Sequence, residues 1–471
     1  MPEQSTEPQR RVAIVTLGCA RNEVDSEELA GRLASEGWTL VADADAADAV
    51  LVNTCGFIDA AKKESIDTVL AARESADARG RSQAVVAVGC LAERYGKVLA
   101  GELPEADAVL GFDDYPSIAA RLESVLAGEI PEAHAPVDRR TLLPISPVER
   151  QEQRARSREG WVPPVPRIRL GSGPVASVKL ATGCDRRCTF CAIPAFRGSF
   201  VSRTPPEVTA EIGEIVGQGV QEVILVSENT TSYGKDLGDM RLLETVLPQF
   251  AAGTGVQRIR LSYLQPAEMR PGLIAAITST AAVADYFDLS FQHASPTVLR
   301  AMRRFGSTED FLELISAIRE LAPQAGLRSN VIVGFPGERE EDVDELATFL
   351  EAARLDAVGV FAYSDEDGTA AASLPDKNDD DTIESRRARI ADLVEELMTQ
   401  RAAERIGERV EVLIESIDED GLAVGRAAHQ GPDDGACVIE SSDGPVPAVG
   451  EWVTGRVIDA QGVDLTVRLD Q

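Results

Sequence analysis

The sequence predicts a multidomain α/β protein that ends in a small β-barrel. Two successive series of short apolar segments alternate with helical segments, as in parallel sheets covered by helices. The last part of the chain carries short alternating segments between turn residues instead. We therefore expect a doubly wound α/β domain at residues 10–128, a linker at 129–172, a partial (β/α)6 TIM-like barrel at 173–402 and a small antiparallel barrel at 403–471.

The first domain is predicted from five apolar strand segments. They are residues 12–17, 39–42, 49–53, 84–88 and 108–110. Helical patterns lie between them at 26–36 and 61–73, and Asp25 is a candidate N-cap of the first helix. Buried strands that alternate with helices predict a parallel sheet.

A cysteine stands at the carboxyl end of three of these strands, at Cys19, Cys55 and Cys90. These ends share one edge of a parallel sheet, where open α/β folds bind ligands. A single such cysteine is better explained as a small buried hydrophobe. Three at equivalent positions, each beside a glycine, predict a set of thiolate ligands for an iron–sulfur cluster.

The linker is rich in proline and arginine. It holds Pro144, Pro147, Pro163, Pro164, Pro166, Arg150, Arg154, Arg156 and Arg158. A solvated connector explains this composition, and a basic segment that contacts phosphate or an acidic face is the alternative.

A second series of strands begins after the linker. The strand segments are 175–180, 222–226, 258–263, 287–291, 329–333 and 358–363, and helical patterns lie at 206–218, 242–250, 271–278, 297–304, 308–321 and 340–353. Six βα repeats are fewer than the eight of a closed barrel, so we expect a barrel that is open on one side. Its catalytic groups should lie on loops at the carboxyl ends of the strands.

The loop after the first of these strands carries Cys184, Cys188 and Cys191. Thiolates are soft ligands, and a cubane iron–sulfur cluster usually takes four of them. Three ligands leave one iron open to a chelating molecule, as catalytic metal sites keep an open position. A zinc site and a disulfide framework are the alternatives, and zinc would require a fourth Cys or His nearby. The histidines are distant in sequence, at His134, His293 and His429.

Other strand ends of the second series carry polar and glycine candidates. Glu228 would be a costly buried charge unless it met a ligand, and Gly334 and Gly337 permit close backbone approach to a ligand. An ordinary strand-to-helix turn explains the two glycines equally well. His293 is interpreted as a structural histidine rather than a catalyst.

Composition limits the protein's partners and location. The chain has 78 acidic and 47 basic residues, a net charge of −31, which disfavours nucleic acid and suits a basic partner. A generally acidic proteome explains the charge equally well. From Glu404 onward the chain has 15 acidic and 5 basic residues, a net charge of the opposite sign to that of a nucleic-acid-binding barrel.

Three features of the sequence predict a cytoplasmic protein with no membrane span. They are the odd total of seven cysteines, the polar segment from Met1 to Arg11 and the lack of 18 consecutive apolar residues.

The Cys184-x3-Cys188-x2-Cys191 spacing, with Phe190 before the last cysteine, resembles the signature of the radical S-adenosylmethionine (SAM) superfamily. The resemblance implies that SAM fills the open iron site. It also implies that an electron from the cluster cleaves SAM to a 5′-deoxyadenosyl radical, so that these three cysteines are catalytic. Cofactor contacts are then expected at Phe190, Glu228, Gly334 and Gly337.

Over nearly its whole length the chain resembles the methylthiotransferases. Family-like blocks are Gly18-Cys19-Ala20-Arg21-Asn22, Asp25-Ser26-Glu27, Asn53-Thr54-Cys55-Gly56-Phe57-Ile58, Gly183 to Cys191 with Ile193-Pro194 and Arg197-Gly198, and Gly334 to Glu338. The last domain resembles a TRAM module. The resemblance implies two 4Fe-4S clusters: that of Cys19, Cys55 and Cys90 holds the sulfur or methylthio group or only transfers electrons, and a second SAM supplies the methyl. Glu228 departs from the family, where Gln is expected.

Two branches of this family compete as interpretations. One modifies an adenosine of tRNA, and the other an aspartate of small-subunit ribosomal protein twelve. Residues 55–59, 291–295, 361–364 and 374–376 resemble the second branch. The acidic barrel agrees, because that ribosomal protein is basic, so tRNA is the lesser alternative. A non-enzymatic iron–sulfur carrier is a further alternative, and the electron donor and the source of the sulfur are left unassigned.

Overall fold

The computed structural model describes residues 10–79, 83–141, 167–440 and 445–470. The nine residues at the start of the chain and the prolines and arginines named above for the linker, from Pro144 to Pro166, lie outside this range. The chain falls into two compact units, Met1–Ser172 with Ala192–Ser199 and Gly173–Cys191 with Phe200–Gln471. The domain boundaries set from the sequence stay a prediction beside this division. None of the described helices is long and apolar enough to cross a membrane.

The first unit contains a five-stranded parallel sheet. Its strands are β1 (Arg11–Thr16), β2 (Thr39–Leu40), β3 (Ala49–Thr54), β4 (Ala84–Gly89) and β5 (Ala108–Val109). Its main helices are α1 (Ala20–Ser35), α2 (Asp59–Ala78), α3 (Cys90–Glu102), α4 (Ile118–Leu126) and the short α5 (Ile193–Arg197). The strand order is β2-β1-β3-β4-β5, and the predicted doubly wound fold is confirmed.

Both faces of this sheet are buried, which is why its strands are nearly continuous apolar runs. Leu29 and Leu33 of α1 and Leu122 of α4 pack on one face. Val69 of α2 and Leu99 of α3 pack on the other. The strand order reverses between β1 and β3, and the crevice beyond the carboxyl ends of strands at such a point is where open α/β sheets bind ligands.

The prediction that Asp25 caps the first helix is wrong. Helix α1 begins at Ala20, directly after Cys19, and Asp25 lies inside it. The carboxylate of Asp25 instead pairs with the guanidinium of Arg197, at 3.0 Å. This distant ion pair, rather than local capping, accounts for an aspartate in the helix interior.

The second unit begins with the predicted open barrel. Six parallel strands form it, namely β6 (Val175–Lys179), β9 (Glu222–Val226), β10 (Arg258–Leu261), β11 (Tyr286–Gln292), β12 (Gly326–Val333) and β13 (Ala357–Ala362). A short pair, β7 (Ala181–Thr182) and β8 (Val201–Ser202), follows β6. The helices are α6 (Pro205–Gly217), α7 (Leu242–Thr254), α8 (Pro271–Ser279), α9 (Pro296–Ala301), α10 (Thr308–Leu321), α11 (Glu340–Ala353) and α12 (Asp380–Glu404).

The six strands form two three-stranded sheets, β10-β9-β6 and β11-β12-β13. Single parallel bridges, Ile259 to Val283 and Leu264 to Leu289, join the region of β10 to that of β11. One hydrophobic core runs under both sheets. All six carboxyl ends therefore belong to one edge of an open barrel.

The chain ends in a closed barrel of five strands. They are β14 (Arg409–Ile417), β15 (Ala423–Ala427), β16 (Cys437–Ile439), β17 (Trp452–Gln461) and β18 (Asp464–Leu469), in the order β14-β15-β16-β18-β17. The predicted barrel is confirmed, but β16 and β18 pair in parallel. Strands β16 and β17 are separated from β14 by two antiparallel pairings and one, respectively, and β18 is antiparallel to β17. Strands β16 and β18 therefore both run in the direction of β14. Cys437 lies in the barrel core.

Buried ion pairs fasten this barrel to the amino-terminal ends of β9 and β10. Glu222, which opens β9, accepts from Arg260 Nε at 2.9 Å and from Arg258 Nη1 at 3.3 Å. Arg426 of the barrel lies 3.6 Å from the same carboxylate. Arg258 Nη1 also donates to the carbonyl of Arg426, and its guanidinium lies 4.3 Å from the ring centroid of Trp452. The barrel is thus attached at the end of the strands opposite to their carboxyl edge.

Replacing Glu222 should destabilise this attachment. Burial alone would raise the pKa of Glu222, but Arg260, Arg426 and Arg258 lower it from 4.5 to about 2. Glu222→Gln leaves these cations uncompensated and should lower the free energy of unfolding by about 3–5 kcal/mol at pH 7. Because the folded-state pKa is depressed, the difference should shrink as the pH falls from about 4.5 towards 2.

Urea denaturation of both proteins across this pH range measures the effect. Glu440→Gln, which removes a solvent-exposed pair with Arg468, is the control and should leave the midpoint unchanged. Equal stability of wild type and Glu222→Gln at pH 7 would contradict the role given to this pair.

Candidate functional site

The three cysteines of the first unit lie at neighbouring strand ends. Cys19 follows β1 and is the N-cap residue of α1, Cys55 directly follows β3, and Cys90 follows β4 as the first residue of α3. Strands β1, β3 and β4 are adjacent and parallel. All three thiols therefore lie at one edge of the sheet, and Cys19 and Cys55 follow the two strands between which the strand order reverses. Their role as cluster ligands stays a prediction.

Gly18 allows two of these segments to approach closely. Its φ is +88°, and a Cβ at this position would lie 2.8 Å from the Cβ of Cys55 and 2.9 Å from its sulfur. Any side chain here would push Cys55 away. The backbone of Cys55 is also fixed, because its N–H donates to Ser65 Oγ at 2.9 Å.

The electrostatics of this thiol set suit a cationic group between the sulfurs. Burial and a charge on Cys19 raise the pKa of Cys55. Burial, with the charge on Cys19, also raises the pKa of Cys90, to about 12. Burial would also raise the pKa of Cys19, but Arg21 and Arg197 lower it overall. Neighbouring thiolates repel each other, and a bound metal cluster removes that repulsion. The donor set therefore fits an iron–sulfur cluster.

Three further cysteines lie in one loop of the second unit, between β7 and the end of the unit's first segment. Cys184 is buried, and Cys188 and Cys191 are half-buried. The loop is anchored at Thr189, whose N–H donates to the carbonyl of Met302 at 3.1 Å and whose hydroxyl donates to that of Ala301 at 2.9 Å. Cys191 N–H donates to the carbonyl of Cys188.

Charged groups from other strand ends reach this loop. Burial, together with the charges of Cys188 and Glu228, raises the pKa of Cys184 to about 12. Arg304 Nη1 lies 3.6 Å from the sulfur of Cys188. The structure thus brings predicted Glu228 to the cysteine loop, together with a cation, Arg304, that the sequence did not reveal. Three soft donors beside a cation fit an iron–sulfur cluster with one open iron.

Among the described residues, no group of three or more His, Cys, Asp or Glu side chains is arranged to hold a single metal ion. A cubane cluster is larger than one ion, and its thiolates stand correspondingly further apart. Both cysteine sets are thus proposed as cluster ligands on their donor chemistry.

Glu268 orients the cysteine loop and was also missed from the sequence. Its carboxylate pairs with Arg186 of the loop at 2.8 Å. The same carboxylate accepts from three side chains that follow β9: Asn229 at 3.1 Å, Thr231 at 3.0 Å and Ser232 at 2.8 Å. Glu268 therefore ties the loop to the carboxyl end of the neighbouring strand. No single segment of the sequence carries this arrangement.

The turn from Gly334 to Glu338 lies at the end of β12. Gly334 has a φ of +81°, and a Cβ there would lie 2.6 Å from Ile383 of α12, so packing alone requires glycine at this position. Gly337 is exposed, with open space where its Cβ would lie. Phe335 packs in one apolar cluster to which Phe190 adds a half-buried ring. The structure therefore places the predicted Phe190 against the apolar cluster that contains Phe335, the residue after Gly334.

Glu338 holds this turn from inside. Its Oε1 accepts from Gly334 N–H at 2.8 Å and from Arg386 Nη1 at 3.0 Å. His293 Nδ1 accepts from the backbone N–H groups of Ala294 and Ser295, so its proton is on Nε2, 3.3 Å from Glu338 Oε2. His293 is fully buried and positions Glu338, as expected for a structural histidine.

Comparisons with known proteins agree with this architecture. A family model described as "Uncharacterized protein family UPF0004" matches residues 11–111, one for the radical SAM superfamily matches 178–350, and one for the TRAM domain matches 406–469. A solved radical S-adenosylmethionine methyltransferase, TsrM from Kitasatospora setae, with cobalamin and a [4Fe-4S] cluster bound, has a TM-score of 0.53 at 16% identity, covering 75% of each chain. This likeness concerns the fold alone.

Two relatives match over nearly their whole length. A protein of Kineococcus radiotolerans is 64% identical over 469 residues, covering 97% of this chain and 96% of the relative. One of Streptomyces griseus is 60% identical over 489 residues, covering 99% and 98%. Both are named "Ribosomal protein uS12 methylthiotransferase RimO". With the two cysteine sets and the three matched domains, these relatives show that the chain belongs to the RimO family of radical SAM methylthiotransferases.

Proposed function

We propose that this chain transfers a methylthio group to the β-carbon of an aspartate in ribosomal protein uS12. The observation that carries the proposal is the pair of three-cysteine sets, each at the carboxyl edge of a parallel sheet. The chain that carries them is 64% identical to a relative named as a ribosomal protein uS12 methylthiotransferase. A non-enzymatic iron–sulfur carrier would require no open position in either set. We place the reaction in the cytoplasm, because the substrate is a ribosomal protein.

Cys184, Cys188 and Cys191 would hold the catalytic 4Fe-4S cluster. When bound, this cluster and SAM supply the one-electron chemistry that removes hydrogen from an unactivated carbon, which no side-chain base achieves. The chain's own residues position these groups. Arg304 lies against Cys188, and Glu268 holds the loop through Arg186. We propose that SAM contacts Phe190, Glu228, Gly334 and Gly337.

Cys19, Cys55 and Cys90 would hold the second 4Fe-4S cluster. This cluster supplies the site for the sulfur or methylthio group, and an alternative role is electron transfer alone. The chain's part is to keep three like-charged sulfurs at one sheet edge, through the contact of Gly18 with Cys55 and the cations of Arg21 and Arg197.

The terminal barrel favours a basic protein over tRNA as partner. Its exposed arginines are engaged within the barrel region, because Arg468 pairs with Glu440, Arg409 pairs with Asp470 and Arg456 donates to the carbonyl of Gly407. Several acidic residues are exposed instead: Asp418, Glu419, Asp420, Asp433, Glu451, Asp459 and Asp464. Phosphate binding depends on available Lys and Arg. We therefore infer that this surface faces a basic protein.

Mass spectrometry of a deletion strain tests the substrate. We expect ribosomal protein uS12 to lose one methylthio group and tRNA to keep its own modifications. Return of the modification on expression of this chain is the control. A loss confined to tRNA would reject the proposal in favour of the adenosine branch of the family.

The two cysteine sets should separate on mutation. Cys184→Ala should abolish SAM cleavage, because a cubane held by two thiolates is poorly retained. Cys55→Ala should leave dithionite-driven formation of 5′-deoxyadenosine intact and stop methylthiolation of uS12. Chromatographic assay of 5′-deoxyadenosine and mass spectrometry of uS12 measure both.

The matched control is Cys437→Ala, which removes a cysteine from the barrel core and should preserve both activities. Product formation by Cys55→Ala would reject the sulfur-handling role of the first set. Absence of 5′-deoxyadenosine from the reconstituted wild type would reject the radical mechanism.

Glu338→Gln should weaken SAM binding about tenfold or more. The variant loses the negative charge of a carboxylate that lies beside Arg386 and His293 and accepts from Gly334 N–H. Leaving one partner of a buried charge pair unpaired is costly. Equilibrium dialysis with labelled SAM measures the change. Glu340→Gln removes an exposed carboxylate that pairs with the same Arg386 and should bind SAM normally. If Glu338→Gln binds SAM as tightly as Glu340→Gln and the wild type do, the turn does not contribute to SAM binding.

A further inference from the structure

Arg197 presents a charged group to the cysteine set of the first unit. It is the last residue of α5, in the segment Ala192–Ser199 that belongs to this unit. Its side chain is 6% exposed. Nη2 lies 3.0 Å from the sulfur of Cys90, 2.9 Å from Asn22 Oδ1 and 3.0 Å from Asp25 Oδ2. A single guanidinium nitrogen therefore contacts a predicted cluster ligand, a neutral amide and a carboxylate.

The position of this guanidinium is fixed from several sides. Its carbon lies 5.0 Å from the ring centroid of Phe112. The neighbouring Phe196 and Ala192 pack with Cys90 in one small apolar cluster. A buried cation is tolerated when it is paired and hydrogen-bonded, and Asp25 supplies the opposite charge. The helix that carries Arg197 is thus held against Cys90 by packing as well as by charge.

Asn22 defines what the sulfur of Cys90 can bind. Asn22 Nδ2 donates to the carbonyls of Leu17 at 2.9 Å and Thr54 at 3.2 Å, which turns Oδ1 towards Cys90, at 3.5 Å. Oδ1 is only an acceptor. A thiol can donate to it, but a thiolate bound to iron cannot. Of these two contacts, that with Arg197 persists when Cys90 is ionised, because a guanidinium is only a donor.

We propose that Arg197 is a positioning residue that orients the Cys90 thiolate and raises the reduction potential of the cluster on Cys19, Cys55 and Cys90. The proposal rests on the proposed function, which assigns a cluster to these cysteines. Hydrogen bonds to cluster sulfurs and nearby positive charge stabilise the more negative, reduced cluster. Asp25 opposes this effect, because its negative charge lies against the same guanidinium.

The test uses the full chain with Cys184, Cys188 and Cys191 all changed to Ala, so that only the first cluster is loaded. After anaerobic reconstitution, iron and sulfide content report loading. Electron paramagnetic resonance during a redox titration reports the midpoint potential. Arg197→Gln, Arg197→Lys and Asp25→Asn are compared in this background.

The matched control is Arg139→Gln. Arg139 is another arginine of the same unit, 17% exposed, that pairs with Glu93 and lies 5.8 Å from the centroid of the same Phe112 ring. Its Nε donates to Glu93 Oε1 at 2.5 Å. Its loss should leave the potential of the first cluster unchanged.

Arg197→Gln should lower the midpoint potential by at least about 59 mV, which is a tenfold change in the equilibrium constant of one-electron reduction. Asp25→Asn should raise it, and Arg197→Lys should recover at least half of the loss. A purely structural role does not produce shifts of opposite sign.

A loaded Arg197→Gln protein with the parent's potential would overturn the proposal. If Arg197→Gln holds no cluster, Asp25→Asn decides: a higher potential supports the proposal, and an unchanged or lower one overturns it. A parent that binds no iron would instead reject the first cluster itself, and with it the part given to Arg197.

Discussion

Mutual repulsion of thiolates is the constraint on which both cysteine sets depend. The first set lies at neighbouring ends of parallel strands, so its geometry follows from the sheet. The fold supplies proximity cheaply, because Gly18 lets Cys55 approach without a side chain between them. Burial then makes ionisation costly, as the raised pKa values of Cys90 and Cys184 indicate. Sites of this kind are therefore built to be completed by a cationic group.

Cations of the chain meet part of that demand. Arg197 contacts Cys90 and Arg304 contacts Cys188, and Arg21 lowers the pKa of Cys19, so each set has at least one guanidinium beside a sulfur. Arginine suits this role because it stays charged when buried and donates in several directions. The helix α5 that carries Arg197 starts two residues after Cys191. The chain thus passes directly from one cysteine set to a cation of the other.

In the second unit, the candidate site and the attachment of the terminal barrel lie at opposite ends of the strands. Candidate residues lie at the carboxyl ends of its strands, as at Glu228 and Gly334. The buried pairs of Glu222 with Arg258 and Arg260 lie at the opposite ends, where the terminal barrel is attached. A charge network that holds two domains rigidly would perturb ionisable groups near a reacting centre. Because it lies at the far end of the strands, the carboxyl edge that carries the candidate residues is free of this network.

The sequence was sufficient wherever an element depended on local pattern. The strand positions and the terminal barrel follow from apolar periodicity, whereas the cluster roles of the two cysteine sets stay a prediction. It was insufficient where partners are distant. Asp25 has the local character of an N-cap, yet its partner is 172 residues away, and Glu268 acts through Arg186 in another loop. Capping is worth about 1 kcal/mol, whereas leaving a buried guanidinium without its carboxylate costs about 3–5 kcal/mol. The larger, non-local term decides where such a residue lies, and periodicity does not reveal it.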